Sequence, residues 1–436
     1  MDDLIRHPLA YARRLRDWSQ TDLAHQVRAA ARRRGLRAGT TRQRVSLWEQ
    51  GTTPDAFSQE LLADVFGVSH DHVSAVSWPH WLPGYDALAP LGKGLTITVL
   101  RGAAQMAVDR RAFLTFAPAA LGSLAWQWAA LDPALAAGAV GRRQVDLAFV
   151  DWLESAARHL TTLPTAHRQH TGPLLDGHLT TVVDLLEHGR YSPTTGARLH
   201  ALAAALAQTI AWHRFDNEHH AAASRYWHAA VHAAHQAGDT DLGAGVLSDL
   251  GYQQIWLGRP RPAVEILDHA LSRTATATAR SLLLVRKARA HAMLGEARDC
   301  YRALALAENS LNTASGEAPA WCAWMGPADL VVDTGRCLSD LGQTRRAHEQ
   351  ISEGIRLLPE ARNKTKAVFF AYEAGSALEH GEAEQAAHLA RRSLHLARQM
   401  GASRCVQQIR SLASELAPHR SVGGVDRLLH DLATAS

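Results

Sequence analysis

The chain has 436 residues, 47% of them apolar and 20% charged, and a net charge of +4. That length exceeds one compact domain and suggests two or three, and the composition excludes a disordered or fibrous chain. Four cysteines, Cys300, Cys322, Cys337 and Cys405, include no CxxC pair, which argues against a disulfide framework or a zinc module and for reduced thiols in the cytoplasm.

The basicity is local. Residues 1–50 hold eleven Arg against five Asp or Glu, a balance of +6 that leaves −2 for the rest of the chain. Because only four Lys stand beside 42 Arg overall, arginine clusters are weaker evidence here than in a Lys-rich chain. The first predicted helix, in "PLAYARRLRDW", carries Leu9, Ala12 and Leu15 on one face. A second begins in "SQTDLAHQV", with Ser19 as N-cap and Asp22 at the third helical position, a capping arrangement. A third lies in "TTRQRVSLWEQG", from a Thr cap to Gly51 as its stop, with Val45 and Trp48 turned inward. "DAFSQELLADVFGVSHDHV" supplies further helix.

These short helices, with these starts and stops, resemble the Cro/repressor-type, or XRE, helix-turn-helix family over residues 8–76. The sharpest match is "GTTRQRVSLWEQG", where the family's recognition helix follows a small turn, has an apolar residue at Val45 and ends Glu49-Gln50-Gly51. The resemblance implies that the helix start enters the major groove of duplex DNA, with Thr41 at the helix cap, Arg42 and Gln43 as base readers, and Ser46 as a further contact. Arg can donate two hydrogen bonds to guanine and Gln can pair with adenine; Arg44 reaches a base or a phosphate. Ser19 and Gln20 match the family's phosphate-positioning helix start. One departure is "RAAARRRGLRA" at 28–38, inserted where the family turns directly between the two helices. If it extends the second helix, Arg32, Arg33 and Arg34 would run along the DNA backbone and strengthen sequence-independent binding. The structural alternative is a surface helix within a larger helical array.

Residues 77–140 read as a linker that opens on the Trp/Pro/Gly-rich "SWPHWLPGYDALAPLGKG". "LTITVL" at 95–100 alternates like a short strand. The stretch 109–126 resembles a twin-arginine export signal but stands about a hundred residues from the N-terminus, and no 18-residue apolar span follows it, so a buried or linker helix and no membrane are expected. An apolar helix over 112–128, with Phe113, Leu114, Phe116, Leu121, Leu124 and Trp128, is a candidate for dimer contact or for packing the head onto the following domain.

From 141 to 436 the chain is Ala/Leu-rich with helical spacing. Gly258, Gly295, Gly342 and Gly381 stand 37, 47 and 39 residues apart. Five positions on are Ala263, Cys300, Ala347 and Ala386; twelve on are Ala270, Ala307, Gly354 and Ser393; seven before are Gly251, Ala288, Gly335 and Ala374. Small residues recur where paired helices joined by a short glycine turn cross closely. The pattern resembles the tetratricopeptide repeat, most clearly in "VLSDLGYQQIWLGRPRPAVEILDHAL", and a later copy ends at Pro359 where that family closes with proline. The first helix pairs, 145–238, lack the glycine and have "HRFDNEHH" at the expected turn. The fold expected is therefore all-α: a helix-turn-helix domain at 1–76, a linker at 77–140 and a repeat solenoid at 141–436.

Mapping the repeat family's groove positions onto the glycine register picks Tyr252, Trp256, Arg289, Asp329, Arg336 and Asp340 as ligand contacts. His228 and His232, four apart, have metal-ligand spacing, but no Asp, Glu or Cys completes a set, so neither metal nor other cofactor is implied. No catalytic triad, phosphate loop or paired carboxylates emerge, and no enzyme activity is expected. A DNA-reading head on a groove-bearing solenoid resembles the pheromone-sensing regulators of Gram-positive bacteria and actinobacterial regulators of this layout. The resemblance implies a cytoplasmic homodimer that binds a DNA operator and a peptide or small-molecule signal. A solenoid that docks a protein partner, with a fixed DNA anchor, is the alternative.

Overall fold

A computed structural model describes residues 8–14, 16, 18–66, 73, 78, 79, 82, 91, 95–106, 116, 118–132, 138–141, 143–162, 170–360 and 362–433. The chain divides into two compact units, one of residues 1–90 with 114–120 and one of 91–113 with 121–436.

The first unit holds α1 (Pro8–Arg14), α2 (Gln20–Arg33), α3 (Arg42–Glu49) and α4 (Ala56–Phe66). The Ser19 hydroxyl accepts from the Asp22 N–H, and the Asp22 carboxylate accepts from the Ser19 N–H at 2.8 Å, so α2 starts where the sequence places its cap. Leu23, Val27, Val45, Trp48, Leu61 and Leu62 share one core. The arginine-rich stretch after Val27 continues the second helix to Arg33, and its last turn carries Arg32 and Arg33. Arg28 then donates to the Thr40 carbonyl at 2.5 Å and ties the lengthened helix to the turn before α3.

The second unit opens with α5 (Thr96–Met106) and takes α6 (Pro118–Ala130) from Leu121 on. The strand expected at 95–100 is instead part of α5. Its β-branched residues alternate locally, but Thr96, Val99, Leu100 and Ala103 form an i, i+3, i+4, i+7 stripe that is buried, against α8 (Gly172–His188) and α10 (His220–Ala237), and that burial decides the conformation. Of the apolar segment at 112–128, residues 112–115 and 117 and the twin-arginine pair lie outside the described residues. In α6, Leu121, Leu124 and Trp128 are at most 1% exposed, and Trp128 lies against Gly243 with Arg273 5.7 Å over its ring. This helix spends its apolar face within the second unit, which removes those residues as a free dimer surface.

Short strands β1 (Ala139–Val140), β2 (Arg143–Gln144) and β3 (Gly189–Tyr191) form a small sheet ordered β1-β3-β2 beside α7 (Leu147–Thr162) and α8. The array proper pairs α9 (Pro193–Asp216) with α10, α11 (Thr240–Trp256) with α12 (Pro260–Leu271), α13 (Ala277–Met293) with α14 (Ala297–Asn312), α15 (Pro327–Asp340) with α16 (Thr344–Leu357) and α17 (Asn363–Glu379) with α18 (Ala383–Gln399). The last α-helices are α19 (Ser403–Leu416) and α20 (Val425–Ala433). These hairpins form a helical-repeat solenoid of the tetratricopeptide kind. Gly258, Gly295, Gly342 and Gly381 make the turns at φ of 70°, 73°, 75° and 88°, a left-handed conformation that glycine adopts at no steric cost. The small positions lie in the crossings: a Cβ on Gly354 would stand 2.9 Å from the Ala328 carbonyl oxygen. Among the described residues no helix is long and apolar enough to cross a membrane.

The helix pair without a glycine marker obeys the same register. Glu218 has φ 64° in the α9–α10 turn; seven residues before it is Ala211, and five and twelve after it are Ala223 and Ala230, all 0% exposed. A left-handed conformation costs an L-residue about 1–2 kcal/mol. Glu218→Gly is expected to stabilise the array by about 1 kcal/mol, less the extra entropy glycine brings to the unfolded chain, read as a higher urea midpoint at unchanged slope; an unchanged or lower midpoint would show that the turn is unstrained.

Acid should loosen this same region. His200 on α9 is 8% exposed, its Nδ1 has no hydrogen-bond partner among the described residues, and burial depresses its pKa from 6.5 to about 4. The folded state therefore resists a proton that the unfolded chain accepts: stability is full above pH 6.5 and falls as the pH drops toward 4. Between pH 7 and pH 5 this one group should remove about 2 kcal/mol, and His200→Leu should flatten that part of the pH profile of the urea midpoint.

Candidate functional site

Two sets of side chains stand out, one in each unit. In the first unit, Thr41 caps α3, its hydroxyl accepting from the Arg44 N–H at 3.3 Å. Thr41, Arg42, Gln43 and Arg44 are exposed, Val45 and Trp48 are 0% and 4% exposed, and Ser46 is partly buried. The start of α3 thus presents polar side chains while its other face is locked in the core. No hydrogen bond or ion pair within the chain engages the side chains of Arg32, Arg33, Arg42 or Gln43 among the described residues, and all four are surface-accessible. Arg34 is different: it grips Glu60 at 3.1 Å and Asp64 at 2.8 Å, so it serves the fold of the head.

The expected phosphate-positioning pair is also engaged. Gln20 donates to Glu49 at 2.7 Å, and Glu49 receives Arg13 at 2.6 Å. Ser19 is committed to Asp22, whose carboxyl these hydrogen bonds hold below the ordinary value, leaving a negative charge at the start of α2. That helix end is already satisfied by its own carboxylate, and a phosphate would have to approach beside it. Glu49, unassigned by the sequence reading beyond its place in the motif, joins α1, α2 and α3.

In the second unit the leading helices α9, α11, α13, α15, α17 and α19 pack in succession and line one face of the array. Tyr252 and Trp256 lie there, close to Phe215 at 6.0 and 6.2 Å. Asp249 accepts from Gln208 at 2.8 Å, Trp212 at 2.8 Å and Arg286 at 2.9 Å. Arg336 lies 3.7 Å over the Tyr372 ring, in reach of the charge on Asp333. Burial pushes the Tyr252 phenol up, but the Arg404 and Arg336 guanidiniums outweigh it and bring it down to about 8. The face is both aromatic and charged, suited to a ligand with apolar and ionic groups.

Several residues picked from the register already have partners. Arg289 pairs with Asp340 at 2.8 Å. Asp329 is 3% exposed, caps its own helix through the Gly326 N–H at 3.1 Å and holds Arg362 with two bonds of 2.8 Å. Trp256 and Tyr252 are covered by Arg404, 4.6 and 5.7 Å from their ring centres. Of the six, Trp256 and Arg336 have ring contacts but no side-chain hydrogen bond or ion pair among the described residues.

Arg404, Asp216 and Lys364 were not singled out by sequence. Arg404 meets Asp216 at 3.2 Å, and Lys364 also pairs with it; they stand 188 and 148 residues from Asp216 in the chain, so no local spacing announces them. The cysteines are free and buried, and Cys300 and Cys337, from adjacent repeats, share one core cluster. His228 and His232 pack edge to face at 4.7 Å, 3% and 1% exposed.

Comparison with known proteins gives a coarse picture. A family model described as the SP15 N-terminal domain matches residues 9–73. Among solved structures, the crystal structure of the APC/C hetero-tetramer Cut9-Hcn1 is similar at 14% identity and a TM-score of 0.33, covering 84% of this chain and 58% of that one. The chain thus spans under two thirds of that protein's length. No curated protein matches.

Proposed function

We propose that this protein is a sequence-specific DNA-binding regulator of transcription, an XRE-type helix-turn-helix head at 1–76 joined through 77–140 to the repeat array at 141–436, whose groove binds a signalling ligand, most simply a peptide. The observation that carries the reading is the start of α3, where Arg42 and Gln43 project from a helix whose opposite face is fixed by Val45 and Trp48. Arg32 and Arg33 on the lengthened α2 supply non-specific attraction to phosphates. The alternative, a solenoid that docks a protein partner while the head anchors it to DNA, is favoured by the general suitability of helical repeats for protein contacts.

The DNA is read as a pair of half-sites by a homodimer. With α6 packed inside the second unit, the better surface for a second copy is on α7 and α8, where Leu147, Trp152 and Leu174 are 55–56% exposed and Phe149, Trp152 and His178 stack in series at 5.7 and 5.8 Å.

The test is fluorescence anisotropy on a selected operator and on random duplex across a salt series. Arg42→Ala should erode discrimination by about 1–3 kcal/mol with a small change on random DNA. Arg33→Ala should weaken both duplexes alike and reduce the salt slope by about one. Equal effects of both substitutions on both duplexes would remove the assignment of α3 as the reading helix.

A further inference from the structure

The end of α9 meets distant repeats through Lys364, which pairs with Asp216, through Ser403, which meets Asn217 at 3.4 Å, and above all through the Arg404 guanidinium. Arg404 on α19 is 7% exposed, with its Cζ 4.6 Å from the ring centres of both Phe215 and Trp256. Its Nε and Nη2 donate to Asp216 at 3.3 and 3.2 Å, and its Nη1 to the Tyr252 hydroxyl at 3.3 Å. The walls of this cage come from the end of α9 and from α11, with Lys364 of α17 on the second oxygen of Asp216, so the receptor is complete without α19, which supplies the group that fills it.

We propose that Phe215, Asp216, Tyr252 and Trp256 form a receptor for a guanidinium group, filled in the closed array by Arg404 and open to competition from the arginine side chain of a peptide ligand. A planar guanidinium can lie against two aromatic rings set edge to face, as Phe215 and Trp256 are at 81°, while donating in its plane, which a lysine ammonium does not reproduce. Burial pushes the Asp216 carboxyl up, but Lys364 and Arg404 outweigh it and hold it below its ordinary value, so the cage keeps its charge. The bonds of Arg404 are longer than the 2.7–2.9 Å usual for charge-assisted pairs. A free arginine side chain without the constraint of α19 is able to take the same seat with shorter bonds. Its entry would part residue 404 from residue 216 and free α19 from the leading helix of the first pair, a discrete change between closed and open arrays of the kind that a ligand must favour to shift an equilibrium. The chemistry of the cage stands by itself; its meaning as a signal rests on the ligand-controlled reading above.

The experiment uses the full chain, hydrogen exchange read by mass spectrometry, and N-acetyl-arginine methylamide and methylguanidinium as probes. In wild type, N-acetyl-arginine methylamide should raise exchange in 403–416 saturably, while the lysine analogue at equal concentration should not. In Arg404→Ala, exchange in 403–416 should be raised from the start, and methylguanidinium should saturably restore protection at 209–216 and 250–257. Adding Asp216→Asn should abolish that rescue. Should Arg404→Ala fail to fold, the wild-type titration decides alone. The absence of a saturable response to the arginine probe in wild type, or a rescue that persists without the Asp216 carboxylate, overturns the proposal. Operator binding measured on the same samples separates the two readings: a cage that responds while DNA binding is absent removes the regulator, and DNA binding with an unresponsive cage removes only the receptor.

Discussion

Asp249→Ala will weaken the array by about 3–5 kcal/mol, the cost of leaving a buried cation without its partner. The two side chains of the Asp249–Arg286 pair are 5% and 7% exposed. The carboxylate accepts from three donors, Gln208, Trp212 and Arg286, and the same Arg286 nitrogen also donates to the Ser248 hydroxyl at 2.8 Å. Because α9, α11 and α13 all contribute, the loss falls on three leading helices at once. Water cannot replace the carboxylate without entering the face where Trp212 and Tyr252 meet at 5.9 Å. Urea unfolding followed by far-UV circular dichroism should show an earlier and less cooperative transition. Arg286→Met with Asp249→Leu, which removes both charges and keeps the volume, should recover most of the loss; a double variant as weak as the single one would show that packing, not the unpaired charge, sets the cost.

Glu49→Ala will destabilise the head by a similar margin, about 3–5 kcal/mol. Arg13 and Glu49 are 8% and 9% exposed, and Gln20 donates to the second carboxylate oxygen at 2.7 Å. Arg13 also donates to the Trp18 carbonyl at 2.6 Å, so one carboxylate holds the exit of α1, the entry of α2 and the end of α3. Its removal strands the Arg13 charge and frees the Gln20 amide. Hydrogen exchange in the full chain should rise over 20–33 and 42–49 and stay unchanged over 240–312. A loss of protection confined to the last turn of α3 would mean that the core of Leu23, Val45 and Leu61 holds the head without the ion pair.

The helices of both units were legible because their signals are local. Caps at Ser19 and Thr41, the inward pair Val45 and Trp48, and the four turn glycines each lie within a few residues of what they specify. The small residues at the crossings were legible for the same reason: their spacing is fixed by helix geometry. Glu218 hid the fifth copy because a carboxylate stands where glycine marks the others, although Ala211, Ala223 and Ala230 keep the period. The segment 95–100 misled because β-branched alternation is a weaker guide than the stripe that α8 and α10 bury. The groove was legible only as a list of positions. Whether Arg289, Asp329 or Trp256 is free depends on Asp340, Arg362 and Arg404, and two of these arrive from other helices far along the chain.

The most direct test of the central claim is selection from a randomised duplex pool with the full-length protein, in parallel with Arg42→Ala and Gln43→Ala. The account predicts that wild type enriches a two-part motif with half-sites about one helical turn apart or a multiple of it, and that each variant loses information at a different base position while still recovering duplex. Recovery of sequences no different from the starting pool, or identical motifs from wild type and both variants, would contradict it.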